Sequence, residues 1–301
     1  MIEYIDFKSV EKTGLEQCQR LFHGRGKAYP GWEHVTVDWL PPVVLITLYA
    51  EESSERLNQM ASDLRACLPG CSSIQVKYRC RSKSPYEVLW GENIQELEIL
   101  ENDLKYQIQL GRSQNIGFFL DMRNGRQWVR DNAKDKRVLN LFSYTCAFSV
   151  VALAGGATFV LNVDMAKSAL SRGRDNHRLN QQDLKKVRFE GVDIFKSFSR
   201  LKKHGPYDML ICDPPQFQKG SVDIKRDYKK IIRRLPQFLN PGARLMLCLN
   251  SPELSETFIH EMVAESCSGC TYVNAISTPD VYKETQAGRG LKVLIFEYPG
   301  D

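Results

Sequence analysis

The sequence contains no apolar run that approaches the ~20 residues a membrane-spanning helix needs. Its first residues, Met1 to Asp6, have neither the basic start nor the apolar stretch of a signal peptide. These absences predict a cytoplasmic protein with no membrane partner. Of its 301 residues, 43% are apolar and 26% are charged, which is typical of a globular chain long enough for two domains.

Patterns for binding a metal are also missing. Cys267 and Cys270 form one Cys-x-x-Cys, and three residues separate Cys67 from Cys71. A structural zinc site needs four ligands, and no histidine stands at a suitable offset. The sequence therefore predicts no metal. Three further cysteines lie inside apolar runs and are predicted to be small buried hydrophobes: Cys146, Cys212 and Cys248.

The excess of positive charge is small, a formal net charge of +5, and by itself indicates no nucleic-acid partner. Its distribution is more informative, because basic residues cluster over 77–83, 123–137 and 219–234. A single cluster is most often a solvated face. Three clusters together favour a partner that carries phosphate groups.

Strand-like segments dominate the first 112 residues. Pro41 and Pro42 separate two of these segments, and helical spacing from Ser54, a possible N-cap, to Leu68 ends at Pro69-Gly70. All four tryptophans lie before residue 130. We predict a small α+β domain over 1–112, with a role in recognising the substrate.

Strands and helices alternate from residue 113 to residue 301. Single helices between strands predict an α/β domain with a mostly parallel, doubly wound sheet of seven strands. Ligands of such sheets bind outside the carboxyl ends of the strands, where the strand order reverses. The predicted strands cover 137–142, 158–164, 187–190, 207–213, 244–250, 272–277 and 291–298.

Acidic residues stand at two successive strand ends. Asp164 can accept hydrogen bonds from a ribose diol, and Asp193 can accept from an adenine amino group while Ile194 packs on the ring. A lone acid at such a position is more often a helix cap, but the series of loop, acid and acid favours a nucleoside site. The first loop has Ser143 and Thr145 and lacks Gly-x-Gly-x-x-Gly, which argues against an NAD-binding dehydrogenase.

The fourth strand of this series ends in Asp213-Pro-Pro-Gln-Phe217, the most specific motif in the chain. Each proline fixes φ and removes an N–H donor, so Pro214 and Pro215 predict a stiff turn whose carbonyl groups stay free. Phe217 would offer an aromatic face on which a flipped base can stack. The alternative is an ordinary strand-ending turn with a core phenylalanine.

Five segments resemble the bacterial large-subunit rRNA methyltransferases, most closely the guanine-N7-methylating half of the bifunctional enzyme (RlmK-like) and next the cytosine-C5 enzyme (RlmI-like). The resemblance runs from about residue 20 to the C-terminus and is strongest over 115–250. The segments are Gly117-Phe-Phe-Leu-Asp-Met-Arg123, Leu139-Asn-Leu-Phe-Ser-Tyr-Thr145, Val163-Asp-Met165, Asp213-Pro-Pro-Gln-Phe217 and Lys225-Arg-Asp-Tyr228.

The resemblance implies a Rossmann-like class I methyltransferase that uses S-adenosylmethionine, releases S-adenosylhomocysteine and acts on RNA, large-subunit rRNA in particular. It implies a catalytic segment of Asp213, Pro214, Pro215 and Phe217. The implied cofactor residues are Phe119, Asp121, Arg123, Ser143, Tyr144, Thr145, Asp164, Met165, Asp193, Ile194 and Asp213. The substrate residues are expected to be Phe217, Lys219, Arg226, Lys229, Lys230 and Asn250.

The positions of the cysteines indicate which atom of the base is methylated. A guanine nitrogen already carries a lone pair, whereas C5 methylation of cytosine first requires a cysteine to add to the ring. The C5 relatives have that cysteine at the tip of the fifth strand, where this chain has Asn250, and Cys212 and Cys248 are poorly placed for the role. The sequence therefore favours N-methylation over C5-methylation.

Two other classes of protein remain possible. Enzymes that methylate a small molecule or a protein amine also carry Asp-Pro-Pro-Phe. A non-catalytic RNA-binding protein with a decayed methyltransferase fold is conceivable, because Cys146 replaces the glycine usual in the family. Its Cβ would crowd the cofactor's methionine end, or would fit if φ stays negative.

Overall fold

The computed structural model describes residues 1–111, 115–215, 217–218, 222–286 and 288–300, and for 217, 218 and 222 it describes the backbone only. The chain divides into two compact units. The first comprises Met1–Asp121 and Pro279–Ala287, and the second comprises Met122–Thr278 and Gly288–Asp301. The division thus falls after residue 121 and not at residue 112, and a late segment returns to the first unit.

The first unit is an α+β fold. A sheet has the order β1-β2-β3-β4-β5, in which only β3 and β4 are parallel, and β6 and β7 form a separate hairpin. The cap of its longer helix is Ser53, whose side chain accepts from the Arg56 amide, and not Ser54. The elements are α1 (Phe7–Thr13), β1 (Gln19–His23), β2 (Val35–Leu40), β3 (Val43–Leu48), α2 (Ser54–Cys67), β4 (Ser73–Tyr78), β5 (Tyr86–Gly91), β6 (Glu96–Glu101) and β7 (Leu104–Gln109).

The second unit alternates helices and strands as the sequence predicts. Its elements are α3 (Arg123–Asn132), β8 (Arg137–Leu141), α4 (Ala147–Ala154), β9 (Phe159–Val163), α5 (Lys167–Leu179), β10 (Val187–Glu190), α6 (Phe198–His204), β11 (Tyr207–Cys212), β12 (Phe217–Gln218), β13 (Val222–Asp223), α7 (Ile224–Ile232), β14 (Leu239–Leu249), α8 (Glu256–Ser266), β15 (Thr271–Ala275) and β16 (Lys292–Tyr298). The helix expected from Ile194 is a 3-10 turn, and α6 begins at Phe198.

The large sheet has seven strands in the order β10-β9-β8-β11-β14-β16-β15. The first five are parallel and the last two are antiparallel to their neighbours. Apart from the edge strands β10 and β15, these strands are mostly buried, which matches their apolar runs. Chain order reverses on either side of β8, so the expected ligand position lies outside its carboxyl end.

Candidate active site

The loop after β8 has an unusual backbone. Phe142, Tyr144 and Cys146 have φ values of 55°, 46° and 62°, a left-handed conformation that costs a non-glycine residue about 1–2 kcal/mol. The Ser143 amide donates to Val163 O at 3.1 Å, and the Cys146 amide donates to Ser143 O at 2.7 Å. The loop therefore curls tightly over the carboxyl ends of β8 and β9, and neighbouring residues must hold it there.

Asp164, at the end of β9, is one of those neighbours. Its Oδ2 accepts from the Tyr144 amide and its Oδ1 accepts from the Ala166 amide, each at 2.8 Å. A carboxylate has about four acceptor positions, so these bonds occupy only part of its capacity. Because the side chain is half-buried, Asp164 can both fix the loop and accept hydroxyl groups of a ligand.

Helix α5 contacts the loop at two points and holds it in place. Asn176 Nδ2 donates to Thr145 O at 3.0 Å. Cys146 is fully buried against Gly173, where an added Cβ would lie 2.4 Å from the Cys146 Sγ. The Cys146 side chain thus fits because the residue that faces it on α5 is a glycine, which has no side chain in the way. The alternative that Cys146 fits through a negative φ is wrong, because its φ is +62°.

A buried network of hydrogen-bonded polar side chains lies next to this loop. Asn140 donates to Asn162, and Asn162 donates to Ser149, each at 2.9 Å. The Ser149 hydroxyl lies 2.9 Å from His177 Nε2, while His177 Nδ1 lies 2.6 Å from Gln182 Oε1. Since the amide oxygen of Gln182 can only accept, Nδ1 carries the proton and Nε2 accepts from Ser149.

This assignment makes His177 neutral. Burial lowers the pKa of His177 to about 4, because the protonated ring would be stranded away from water. Every hydrogen bond between these side chains then has one donor and one acceptor, as a buried polar network requires. The network joins β8, β9, α4 and α5, the elements that carry the loop and Asp164.

The end of β10 is next to the end of β9. The two strands are parallel, with Glu190 opposite Val163, and the Asp164 amide donates to Glu190 O at 3.2 Å. Asp193 Oδ1 caps the following turn by accepting from the Phe195 amide at 2.9 Å. The two acids therefore lie at neighbouring strand ends, as predicted, and both also have capping roles.

The neighbours of these acids differ in exposure. Met165 is 48% exposed, whereas Ile194 is 3% exposed and belongs to the hydrophobic core. Ser143 Oγ is buried, and its only neighbour of hydrogen-bonding type among the described residues is the weakly polar thiol of Cys146. Buried hydroxyl groups are normally satisfied, so this weakly bonded group suits a loop that completes its hydrogen bonds with a bound polar ligand.

The Asp213-Pro-Pro segment follows β11 directly. Pro214 is buried and Pro215 is exposed. Two residues later the backbone forms a short hairpin in which Phe217 pairs with Asp223, and α7 follows at once. The position of the Phe217 ring lies outside the described residues, as does Lys219.

Tyr228 anchors α7 to the strand ends. Its ring is buried, and its hydroxyl lies 3.1 Å from Cys212 O and 3.2 Å from Cys248 O. Its single O–H, shared between the two carbonyl groups, joins the carboxyl ends of β11 and β14. Tyr228 therefore fixes the strand end that carries Asp213, although the sequence indicated only that it belongs to a family motif.

The exposed side of α7 is basic. Residues spaced by three or four share one face of a helix, and the apolar residues Ile224, Ile231 and Ile232 are buried on the other side. Two of the basic residues are paired, since Arg226 and Lys230 each lie 2.7 Å from a carboxylate oxygen of Asp227. These pairs hold the pKa of Asp227 well below its usual range. The basic residues are Lys225, Arg226, Lys229, Lys230, Arg233 and Arg234.

The cysteines near these strand ends are core residues. Cys212 and Cys248 are fully buried, and burial raises the pKa of the Cys212 thiol. The thiolate is the nucleophilic form, so this environment disfavours attack. Asn250 follows β14 directly and is exposed, in the position that the sequence predicts for the strand tip.

Not every predicted site residue falls in the second unit. Phe119 and Asp121 belong to the first unit, where Phe119 is 42% exposed. Arg123 begins α3 of the second unit. Their expected position beside the cofactor's methionine end stays a prediction.

Several residues that build the site carried no strong signal in the sequence. Gly173 looks like a weak point in a helix, and His177 like a surface histidine of an amphipathic helix. Both face the site from α5.

The described residues include no group of three or more His, Cys, Asp or Glu that could hold a metal ion. Across the described parts of the chain, no helix is long and apolar enough to cross a membrane.

Known proteins share this architecture and sequence. "Ribosomal RNA large subunit methyltransferase I" of Vibrio campbellii is 30% identical over 269 residues, which are 85% of this chain and 67% of that protein. The same-named protein of Salmonella typhi is 31% identical over 267 residues, 85% of this chain and 65% of the relative. The chain thus spans about two thirds of the length of these relatives. They carry the name of the RlmI-like enzyme that the sequence resemblance ranked second, and the RlmK-like ranking is not confirmed.

A crystal structure of a methyltransferase complexed with S-adenosylhomocysteine aligns with a TM-score of 0.87 and 26% identity, covering 98% of this chain and 80% of that one. The model of the family described as "S-adenosylmethionine-dependent methyltransferase" matches residues 19–297. That match includes both acids, the curled loop and the Asp213-Pro-Pro turn. The chain therefore belongs to the S-adenosylmethionine-dependent methyltransferase family.

Proposed function

We propose that this protein transfers a methyl group from S-adenosylmethionine to a base of RNA, with large-subunit rRNA as the substrate. The observation that carries the proposal is the contact between α7, whose exposed side is basic, and the strand end that carries the Asp213-Pro-Pro turn, made by the Tyr228 hydroxyl and Cys212 O. A substrate that reaches this turn meets a row of cations, which suits phosphate groups. The names of the relatives support the same substrate class.

The first unit offers a surface of a related kind. Arg25 lies over the ring of Tyr49 at 3.9 Å, and Arg79 approaches the same ring at 5.8 Å. Guanidinium groups and aromatic rings together are the side chains on which unpaired bases stack, so we assign substrate recognition to this unit.

The cofactor supplies a methyl group on a sulfonium centre. Asp164 would hold its ribose, Asp193 would accept from its adenine, and the loop of Ser143, Tyr144 and Thr145 would enclose its methionine end. The turn of Asp213 to Pro215 would hold the target base in line with the methyl group and exclude water. With a nitrogen as acceptor this alignment suffices, since the lone pair is already present.

We favour a nitrogen acceptor, as in guanine, because Cys212 and Cys248 are fully buried and Asn250 occupies the strand tip. The second candidate is C5 of cytosine, which the names of the relatives favour. It requires a cysteine that adds to the base, and the two cysteines closest in sequence to the strand tips point into the core.

Mass spectrometry of rRNA nucleosides from cells with and without the gene tests the proposal directly. We expect one methylated base to disappear, and its mass and retention identify the acceptor atom. An unchanged set of nucleosides, together with no transfer to rRNA in vitro, would refute the RNA assignment. A covalent protein–RNA adduct trapped with 5-fluorocytosine RNA would replace the nitrogen acceptor by C5.

A further inference from the structure

A groove runs along the outer edge of the large sheet, beside the edge strand β10. It has a volume of about 290 Å³, and α5 and the residues after β10 form its walls. Three of its lining residues are basic and one is aromatic. The residues that matter here are Lys167, Ser171, Arg174, Phe189, Val192 and Arg200.

The charge around this groove exceeds that of the entire chain. Residues 167–204 contain eleven lysines and arginines and four aspartates and glutamates, a net charge of +7 against +5 for all 301 residues. The rest of the chain is therefore slightly acidic. Three of these cations, Lys167, Arg174 and Arg200, line the groove, and such a concentration of positive charge suits a polyanion.

The helix presents its cations as a row. Lys167, Arg174 and Arg178 recur at intervals of seven and four residues, which places them on one face of α5, and all are exposed. Lys167 and Arg174 are about 10 Å apart along the helix axis at 1.5 Å per residue. Neither forms an ion pair with a described residue, so both cations are available to a ligand.

The floor of the groove contains an aromatic ring. The guanidinium of Arg174 lies over the ring of Phe189 at 4.9 Å. The side chain of Lys167 passes close to Gly191, where an added Cβ would come within 2.8 Å of its Cγ. A base can stack on the outer face of the Arg174 guanidinium, which is exposed, while the positive charges suit a backbone phosphate.

The chemistry of the groove differs from that of the cofactor site. The cofactor residues Asp164 and Asp193 supply acceptors for hydroxyl and amino groups, whereas the groove supplies donors. The Glu190 carboxylate, next in sequence to the lining residues Phe189 and Gly191, is paired with Arg200 at 3.1 Å and lies 3.7 Å from His204. A ligand with many acceptors and negative charge suits this groove better than S-adenosylmethionine does.

We propose that the α5–β10 groove binds a single-stranded stretch of the RNA substrate through its phosphates, outside the site that holds the target base. The inference rests on the proposed function, because it assumes an RNA substrate. Lys167 comes three residues after Asp164, so RNA bound here would approach the strand ends where transfer occurs. The groove would thus extend the contact with substrate beyond α7 and the first unit.

The test compares two variants of equal charge change. Lys167→Glu/Arg174→Glu alters the groove, and Lys8→Glu/Lys12→Glu alters an exposed helix of the first unit by the same amount. The probe is a labelled single-stranded RNA oligonucleotide, titrated by fluorescence anisotropy at several salt concentrations. We expect the groove variant to bind roughly tenfold more weakly. We also expect its plot of log affinity against log salt to be less steep by about 1.4 for two lost contacts.

The outcomes separate the two proposals. If wild-type protein neither binds nor methylates RNA, the proposed function fails. If wild-type protein binds RNA and both variants bind alike, only the groove inference is overturned. Calorimetry with S-adenosylmethionine should give the same affinity for the groove variant as for wild type. A parallel loss of cofactor affinity would assign the groove to the cofactor site and also overturn the inference.

Discussion

The contact between Gly173 and Cys146 allows a sharp test of how α5 supports the cofactor loop. In Gly173→Ala the new Cβ would lie 2.4 Å from Sγ and 2.9 Å from Cβ of Cys146, well inside the 3.5–4.0 Å of normal carbon contacts. Overpacking of this kind costs about 1–3 kcal/mol, and alanine's better helix propensity returns about 1 kcal/mol. Because the overlap is severe, we expect a net loss of about 2 kcal/mol.

The second substitution, Cys146→Gly, removes the side chain that the new Cβ at position 173 would overlap. Cys146→Gly relieves a φ of +62°, worth about 1 kcal/mol, and loses a buried side chain worth about the same. It should therefore be nearly neutral. In that background the contact closest to the new Cβ of Gly173→Ala is the Thr145 carbonyl carbon at 3.3 Å. The alanine should then be tolerated, which gives a coupling of about 2–3 kcal/mol between the two positions.

Thermal unfolding of the wild type, both single variants and the double variant measures this coupling. A loss of 2 kcal/mol lowers the midpoint by about 4–8 °C in a domain of this size, and the double variant should recover it. Calorimetry with S-adenosylmethionine should follow the same order, because a displaced Cys146 also displaces Ser143 and Thr145. Additive effects of the two substitutions would show that Gly173 does not support the loop through Cys146.

Three further predictions concern the same architecture. Asp164→Ala should weaken S-adenosylmethionine binding at least tenfold, since charge-assisted bonds contribute roughly 1.5–3 kcal/mol each, and Asp164→Asn should lose less; unchanged affinity by calorimetry would remove Asp164 from the site. Between pH 6.5 and pH 4 the unfolded chain binds a proton at His177 that the folded protein does not, so His177 should make stability fall with falling pH, by up to about 3 kcal/mol. Burial also lowers the pKa of the half-buried His23, to about 3, which adds a dependence of the same sign. His177→Gln should therefore make the pH slope shallower without abolishing it, and an unaltered slope in chemical denaturation would contradict the neutral assignment. Tyr228→Phe should lower the free energy of unfolding by about 1–2 kcal/mol and lower kcat with little change in cofactor Kd; an unchanged kcat would show that its hydroxyl does not position the Asp213 turn.

The sequence predicted the sheet because its strands are continuous apolar runs between helices of ordinary length. The same reasoning found Asp164 and Asp193, since residues directly after parallel strands come together at one edge. The return of 279–287 to the first unit could not be foreseen, because it depends on long-range contacts such as the pairing of Lys27 with Glu284.

The structure of the loop around Cys146 could be predicted from the sequence only in part. The sequence identified the missing glycine, but the consequence depends on residue 173, which is 27 positions later and faces it only in the fold. The positive charge of segment 167–204 is present in the sequence, but its basic residues are interspersed with apolar ones and form no compact cluster there. Only the structure shows that Lys167 and Arg174 lie on one face of α5 beside a groove.

The basic face of α7 yields the last prediction, because the structure separates two adjacent lysines that the sequence treats as equivalent. Lys230 lies 2.7 Å from the buried carboxylate of Asp227, so its charge is largely compensated, whereas Lys229 forms no ion pair with a described residue. Lys229→Ala should therefore reduce the salt slope of RNA binding by about 0.7, the value for one phosphate contact. Lys230→Ala should change that slope less and should lower stability by about 1 kcal/mol, since Arg226 still pairs with Asp227. Anisotropy titrations of RNA and thermal unfolding of both variants measure the two effects. If both variants reduce the slope equally, Asp227 does not mask Lys230, and if neither does, α7 is a solvated helix face and the observation that carries the RNA assignment is lost.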